Sequence, residues 1–376
     1  MTTKPSYRIT PMSPEHIRWA VRDILRDPGG PLRDAKIPES INSGKADAHA
    51  VVELLSSCGI RRGAKEFFAR VLEHADEDAD VVDRHIGGYE GMGQSLAAKS
   101  LIKIIVVNAR EGEPDLEMEA ALFACMEAAE ALRGRDGGLA LAFLEFCGSA
   151  AFGSESLKRL SRFCCREEVA ETALSIRRCG CENTDAVLGE FFLAVRQVSC
   201  NGDEGEADGA LRMFLQGCMA VAGRCPHALY SFLYSFCNSS WESVEGGLMH
   251  MGIFTSPGAM QAFSSMGKNY ARIAGLADEC LRVSKLALDC AKEGRDGVTE
   301  AINCFSDALG KLGPGWPAAV VPFASYYRAL MKERRLDRLQ RLADSFTSED
   351  GIKALESLGD DPRMQAALME ACYMYA

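Results

Sequence analysis

The sequence predicts an all-α chain, an α-solenoid of stacked helical hairpins with no significant sheet, and three observations carry that prediction. Apolar residues recur at i, i+3, i+4 and i+7 in one segment after another. Strand-like alternation is almost absent. Similar helices also return at a long and nearly constant interval, as they do when hairpins stack on their neighbours.

Taken in order, a helix is expected near residues 14–26, followed by a connection over 28–45 that holds three prolines and three glycines. Residues 1–46 thus form a lead-in, 47–200 a first half of the array, 201–209 an acidic loop or hinge, and 210–376 a second half closed by a capping helix. Residues 101–107 (LIKIIVV) have the β-branched density of a strand, but their flanks extend them to helical length, so they are assigned to a buried helix. Further helices are expected over 118–132, 139–147, 156–163, 169–179, 186–198, 210–222, 228–237, 277–291, 299–312, 318–331, 336–346 and 364–375. The acidic stretch 201–209 (NGDEGEADG) reads as solvated loop, and 313–317 (GPGWP) as a tight turn between two helices.

The long interval is anchored on cysteines. Cys58, Cys147 and Cys237 each end a similar helix, and the register continues to residues 323–327, giving steps of 89, 90 and 90 residues. A second match sets Cys58-Gly59 and the pair Phe67-Phe68 beside Cys179-Gly180 and the pair Phe191-Phe192. Glycine suits a helix end because it enters the left-handed conformation without steric cost. The aromatic pair then fills a groove in the core. Residues 51–71 and 169–195 resemble the degenerate hairpins of the pentatricopeptide and heptatricopeptide classes. That resemblance implies a curved superhelix with a concave binding surface and, in those classes, often an RNA ligand.

Composition bounds the function. The 42 basic and 53 acidic side chains leave a net charge of −11, which disfavours indiscriminate attraction to nucleic acid or anionic lipid. With 47% apolar residues the chain can bury a large core, yet residues 101–107 are too short for a span of roughly 20 residues, so no membrane role is expected. Residues 1–14 are polar, and the 15 cysteines are an odd number in a long chain. Free thiols in a reducing intracellular compartment, cytoplasm or organelle matrix, are the expectation.

Motifs for chemistry are few. Gly88, Gly91 and Gly93 have phosphate-loop spacing, but Gln94 stands where a lysine is needed. Asp76, Asp78 and Asp80 begin like a calcium loop that then lacks its glycine and its closing glutamate. Cys164, Cys165, Cys179 and Cys181, with Cys225 and His227, offer soft ligands without the two-residue spacer of a zinc knuckle. No cofactor is expected. Basic residues follow three of the aligned anchors: Arg61, Arg62, Lys65 and Arg70; Lys158, Arg159, Arg162 and Arg166; Lys332, Arg334, Arg335, Arg338 and Arg341. On stacked repeats they form an interrupted stripe suited to phosphates, or a solvated face paired with neighbouring acids. The leading expectation is a non-enzymatic scaffold, or subunit of an assembly, that binds a protein partner. An RNA-associated repeat protein of a ribonucleoprotein is the alternative, and an all-α enzyme the third.

Overall fold

The computed structural model describes residues 115–149, 152–200, 204–240 and 244–358, with a few positions between 361 and 371. The described residues form 14 helices and no strand. The lead-in, the first anchor at Cys58, the Phe67-Phe68 pair, the glycine and calcium-like loops, Arg61, Arg62, Lys65 and Arg70 all lie outside them, as do most of residues 364–375.

The chain divides into two compact units, Met1–Leu174 and Ser175–Ala376. The described part of the first contains α1 (Asp115–Arg133), α2 (Gly137–Ser149) and α3 (Ser154–Cys164), with most of α4 (Glu167–Arg178). Helix α1 packs on both α2 and α3. Asp136 closes the α1–α2 turn by accepting from the Gly138 and Leu139 amides at 2.8 and 3.2 Å. Arg135 then reaches Glu167 and Glu171 at 2.8 and 3.0 Å. Glu167 and Glu168 sit in the first turn of α4, where negative charge also meets the positive end of the helix dipole, and Arg177 and Arg178 complete the pattern at the other end.

The second unit contains the rest of α4 and ten further helices: α5 (Thr184–Cys200), α6 (Glu204–Arg224), α7 (Leu229–Ser240), α8 (Val244–Phe254), α9 (Pro257–Ser265), α10 (Tyr270–Lys292), α11 (Val298–Gly315), α12 (Pro317–Lys332), α13 (Leu336–Thr347) and α14 (Glu349–Leu358). Their ends obey local chemistry. Gly180 follows α4 at φ +75°, the left-handed conformation expected of the Cys179-Gly180 end. Ser256 and Asn269 cap α9 and α10 by accepting from the Ala259 and Arg272 amides, and Pro257 and Pro317 occupy first-turn positions where no amide is needed.

Helices two apart in sequence pack on one another: α5 on α7, α8 on α10, α10 on α12, α9 on α11 and α11 on α13. Phenylalanines tie the first of these together. Phe191 and Phe192 of α5 meet edge to face at 5.6 Å, Phe191 stacks on Phe214 of α6, and Phe214 lies 4.6 Å from Phe236 of α7. Phe232 of α7 reaches Phe254 of α8 at 5.0 Å, and Phe254 stacks on Phe263 of α9 at 4.1 Å. A second cluster joins Phe305, Phe323, Tyr327 and Phe346 across α11, α12 and α13. The fully buried Tyr327 donates its hydroxyl to the Ala301 carbonyl, so its polar end is satisfied. The Arg328 guanidinium lies 2.6 Å from the largely buried Glu279 carboxylate, an ion pair linking α12 to α10.

Four expectations are corrected. Helix α6 begins at Glu204, so Glu204–Gly209 is helix and not the greater part of an acidic loop. Carboxylates in a first helical turn are favoured by the dipole, which is why an acidic segment serves as a helix start. Residues 313–315 likewise belong to α11, leaving Trp316 as the junction with α12. Residues 244–265, to which no helix was assigned, form α8 and α9, and α10 starts at Tyr270, seven residues before the expected 277.

His250, on α8, is wholly buried between Phe232 and Phe254. Burial lowers its pKa to about 3, with only the Cys280 backbone opposing. The ring is therefore neutral in the folded protein while an unfolded chain takes up a proton below its ordinary value near 6.5, so stability falls as pH falls through that window. Between pH 7 and pH 5 the loss should be about 2 kcal/mol, at about 1.4 kcal/mol per pKa unit. Denaturant titrations at both pH values should show that loss shrink by the same amount in His250→Leu; an unchanged pH dependence in the variant would rule the histidine out as its source.

Candidate functional site

The second unit carries an open cleft of about 660 Å³ bordered by the start of α5, the turn before α7, α7 itself and α10. Helix α7 is aromatic on two faces. Phe232, Leu233 and Phe236 point into the core, whereas Tyr230 and Tyr234, one turn apart, point outward and stack with ring centres 6.1 Å apart. A 3-10 turn over Pro226–Ala228 sets the beginning of α7 and places His227 at the cleft. Opposite, the Asn269 cap fixes Tyr270 as the first residue of α10. The three tyrosines are 44%, 52% and 40% exposed, high values for such large side chains. Between them the small Ser231, Ser235 and Ala274 leave the groove open.

The charge of the lining has one sign. Among the described residues, Glu182 and Asp278 are the only charged side chains of the lining, and no lysine or arginine belongs to it. Each carboxylate instead meets one exposed cation of the same chain, Glu182 with Lys268 at 3.6 Å and Asp278 with Arg282 at 2.7 Å. Glu190 of α5 adds negative potential behind Tyr230: partial burial raises the Tyr230 hydroxyl above its ordinary value and the Glu190 charge adds to that. Burial raises Glu190 itself. The Tyr270 hydroxyl lies 3.5 Å from His227 Nδ1, and its pKa is raised first by desolvation and then by the Glu182 carboxylate.

A thiol shares this cleft with His227, so nucleophilic chemistry has to be weighed. Burial, with the neighbouring Cys179, raises the Cys181 thiol to about 11, and Cys181 stays protonated at neutral pH. Cys225 is held at about 12 by burial, with its thiol 3.6 Å from Met260 Sδ, away from any histidine hydrogen bond. Cys164 is buried and raised well above the usual thiol range, while Cys165 beside it is exposed. Every cysteine among the described residues is free, and among those residues no three His, Cys, Asp or Glu side chains converge as metal ligands would. What the cleft offers is ring faces and carboxylates.

The basic residues are found elsewhere. Lys158, Arg159 and Arg162 lie on α3, and Arg166 just beyond it places its guanidinium 4.1 Å over the Phe163 ring. Arg159 pairs with Glu155 at 2.9 Å. In the second unit, Lys332 ends α12 and Arg338 and Arg341 lie on α13. Between these helices Arg334, in the left-handed region at φ 62°, pairs with Glu293 at 2.8 Å, and Arg335 precedes α13. Of the second unit's basic residues, Lys332, Arg334, Arg335, Arg338 and Arg341 are not among the residues that line the tyrosine cleft.

Sequence reasoning did not pick out Tyr230, Tyr234 and Tyr270, although a signal was present. Residues 228–237 place four aromatics in seven positions, Tyr230, Phe232, Tyr234 and Phe236, more than one helix face can bury. Comparison with known protein families, with curated proteins and with solved structures finds no match to this chain. No helix among the described residues is long and apolar enough to cross a membrane.

Proposed function

We propose that this chain is a non-enzymatic helical-repeat scaffold, an α-solenoid of stacked hairpins that docks a protein partner in the tyrosine cleft. The observation that carries the reading is the trio of outward-facing tyrosines around one open groove. Tyrosine is enriched at protein interfaces because it brings a large, rigid contact area with a polar tip, and it dominates binding energy where it is concentrated. Packing between helices two apart supports the stacked-hairpin architecture, and protonated thiols leave the cleft without an activated nucleophile. Its free cysteines suit a reducing compartment.

Affinity purification of the full chain from its source, before and after nuclease, tests this reading. The partner should survive nuclease treatment and be lost from the Tyr230→Ser/Tyr234→Ser variant, whose substitutions touch only exposed side chains. Bound material that disappears with nuclease, and with Arg335→Glu/Arg338→Glu instead of the tyrosine variant, would replace this reading with the RNA one.

A further inference from the structure

We infer that the cleft takes a cationic anchor, an arginine or lysine side chain from a basic segment of the partner, laid over Tyr230, Tyr234 and Tyr270 and met by Glu182 and Asp278. This rests on the docking reading above and goes one step further by naming the chemistry of the occupant. An aromatic ring presents a negative face that attracts an ammonium or guanidinium, so tyrosines combined with carboxylates favour a cation twice over. Among the described residues the lining contains those two carboxylates and no lysine or arginine. Phosphates and acidic peptides meet the opposite: the like charge of those carboxylates, with Lys268 and Arg282 already paired to them.

The chain's own side chains show that these carboxylates hold such groups. Lys268 and Arg282 reach Glu182 and Asp278, with both members of each pair more than half exposed. Exposed pairs of this kind contribute little and exchange readily, so an incoming guanidinium competes with them at small cost. Arginine suits the groove better than lysine: its planar, weakly hydrated head stacks on a ring while donating to a carboxylate. The small Ser231, Ser235 and Ala274 give its long stem room.

Random linear peptides displayed on phage, panned on the full chain and counter-selected on Tyr230→Ser/Tyr234→Ser, provide the test. The enriched peptides should carry arginine or lysine and bind less tightly as salt is raised. They should lose about tenfold in affinity on Glu182→Gln/Asp278→Asn, a loss matching one cation–ring or ion-pair contact in a partly desolvated groove. Circular dichroism of both variants should match the parent, since the altered side chains are exposed. Peptides that need the tyrosines but are neutral or acidic, and that ignore the carboxylate changes, would overturn the cationic anchor and leave the docking reading standing. If no peptide distinguishes the parent from the tyrosine variant, both fall.

Discussion

Phe192→Ala is expected to cost this protein about 3 to 5 kcal/mol of folding stability, the range for truncating a packed phenylalanine and leaving a cavity. Phe192 is fully buried on α5. Its ring meets Phe191 edge to face at 5.6 Å, and Phe191 in turn stacks on Phe214 of α6, so the cavity opens beside a packed row of rings. Surrounding rings are large and stiff and collapse poorly into such a space. Tyr234→Ala, on the exposed face of α7, should change stability by no more than about 0.5 kcal/mol. Denaturant titration of the two variants checks both numbers, and a loss below about 1 kcal/mol at Phe192 would show that the aromatic pair is not a core element.

Gly258→Ala should be nearly as damaging, at about 3 kcal/mol, although it adds a single methyl group. A Cβ there would stand 1.7 Å from the Ser306 carbonyl oxygen and 2.9 Å from the Gly310 nitrogen. Both are backbone atoms of α11, so relief requires α9 and α11 to separate. The seam continues at Gly313, where a Cβ would come 2.6 Å from Ala262 Cα, and Ser306 Oγ accepts from the Gly258 amide at 3.3 Å across the contact. Overpacking of this sort usually costs about 1 to 3 kcal/mol, and backbone on the opposing side puts Gly258 at the top of that range. Gly217→Ala is the control. The three atoms nearest its added Cβ are Met251 Sδ and Cγ, at 2.7 and 2.9 Å, and Phe232 Cζ at 3.4 Å; the flexible Met251 side chain can move aside, and alanine is favoured over glycine in a helix interior by about 1 kcal/mol, so the variant should be close to neutral. Equal stability of Gly258→Ala and the parent would contradict the close seam.

What the sequence disclosed follows from which interactions are local. Helices whose inward face repeats every 3.6 residues, such as those around Phe191 and Leu342, were found within a few residues of their ends. So was the helix end at Gly180, because its cause lies in one residue. Helices α8 and α9 escaped notice because Gly246, Gly247, Gly252 and Gly258 suggest loop. At Gly258 the reason for glycine is a backbone 48 residues further along. The cleft was illegible for the same reason. Its walls come from the neighbourhoods of Glu182, Tyr230 and Tyr270, and nothing short-range says that they meet. His250 is comparable, one of six histidines in the sequence and distinguished only by where the fold puts it.

Photo-crosslinking from the cleft tests the scaffold reading most directly. With p-benzoylphenylalanine in place of Tyr234, irradiation of the full chain in its native source should yield a discrete, nuclease-resistant protein adduct. The same probe at Arg341, exposed on α13 away from the cleft, should not yield it. An adduct digested by nuclease, or one formed equally from both positions, would contradict docking of a protein partner on the tyrosines.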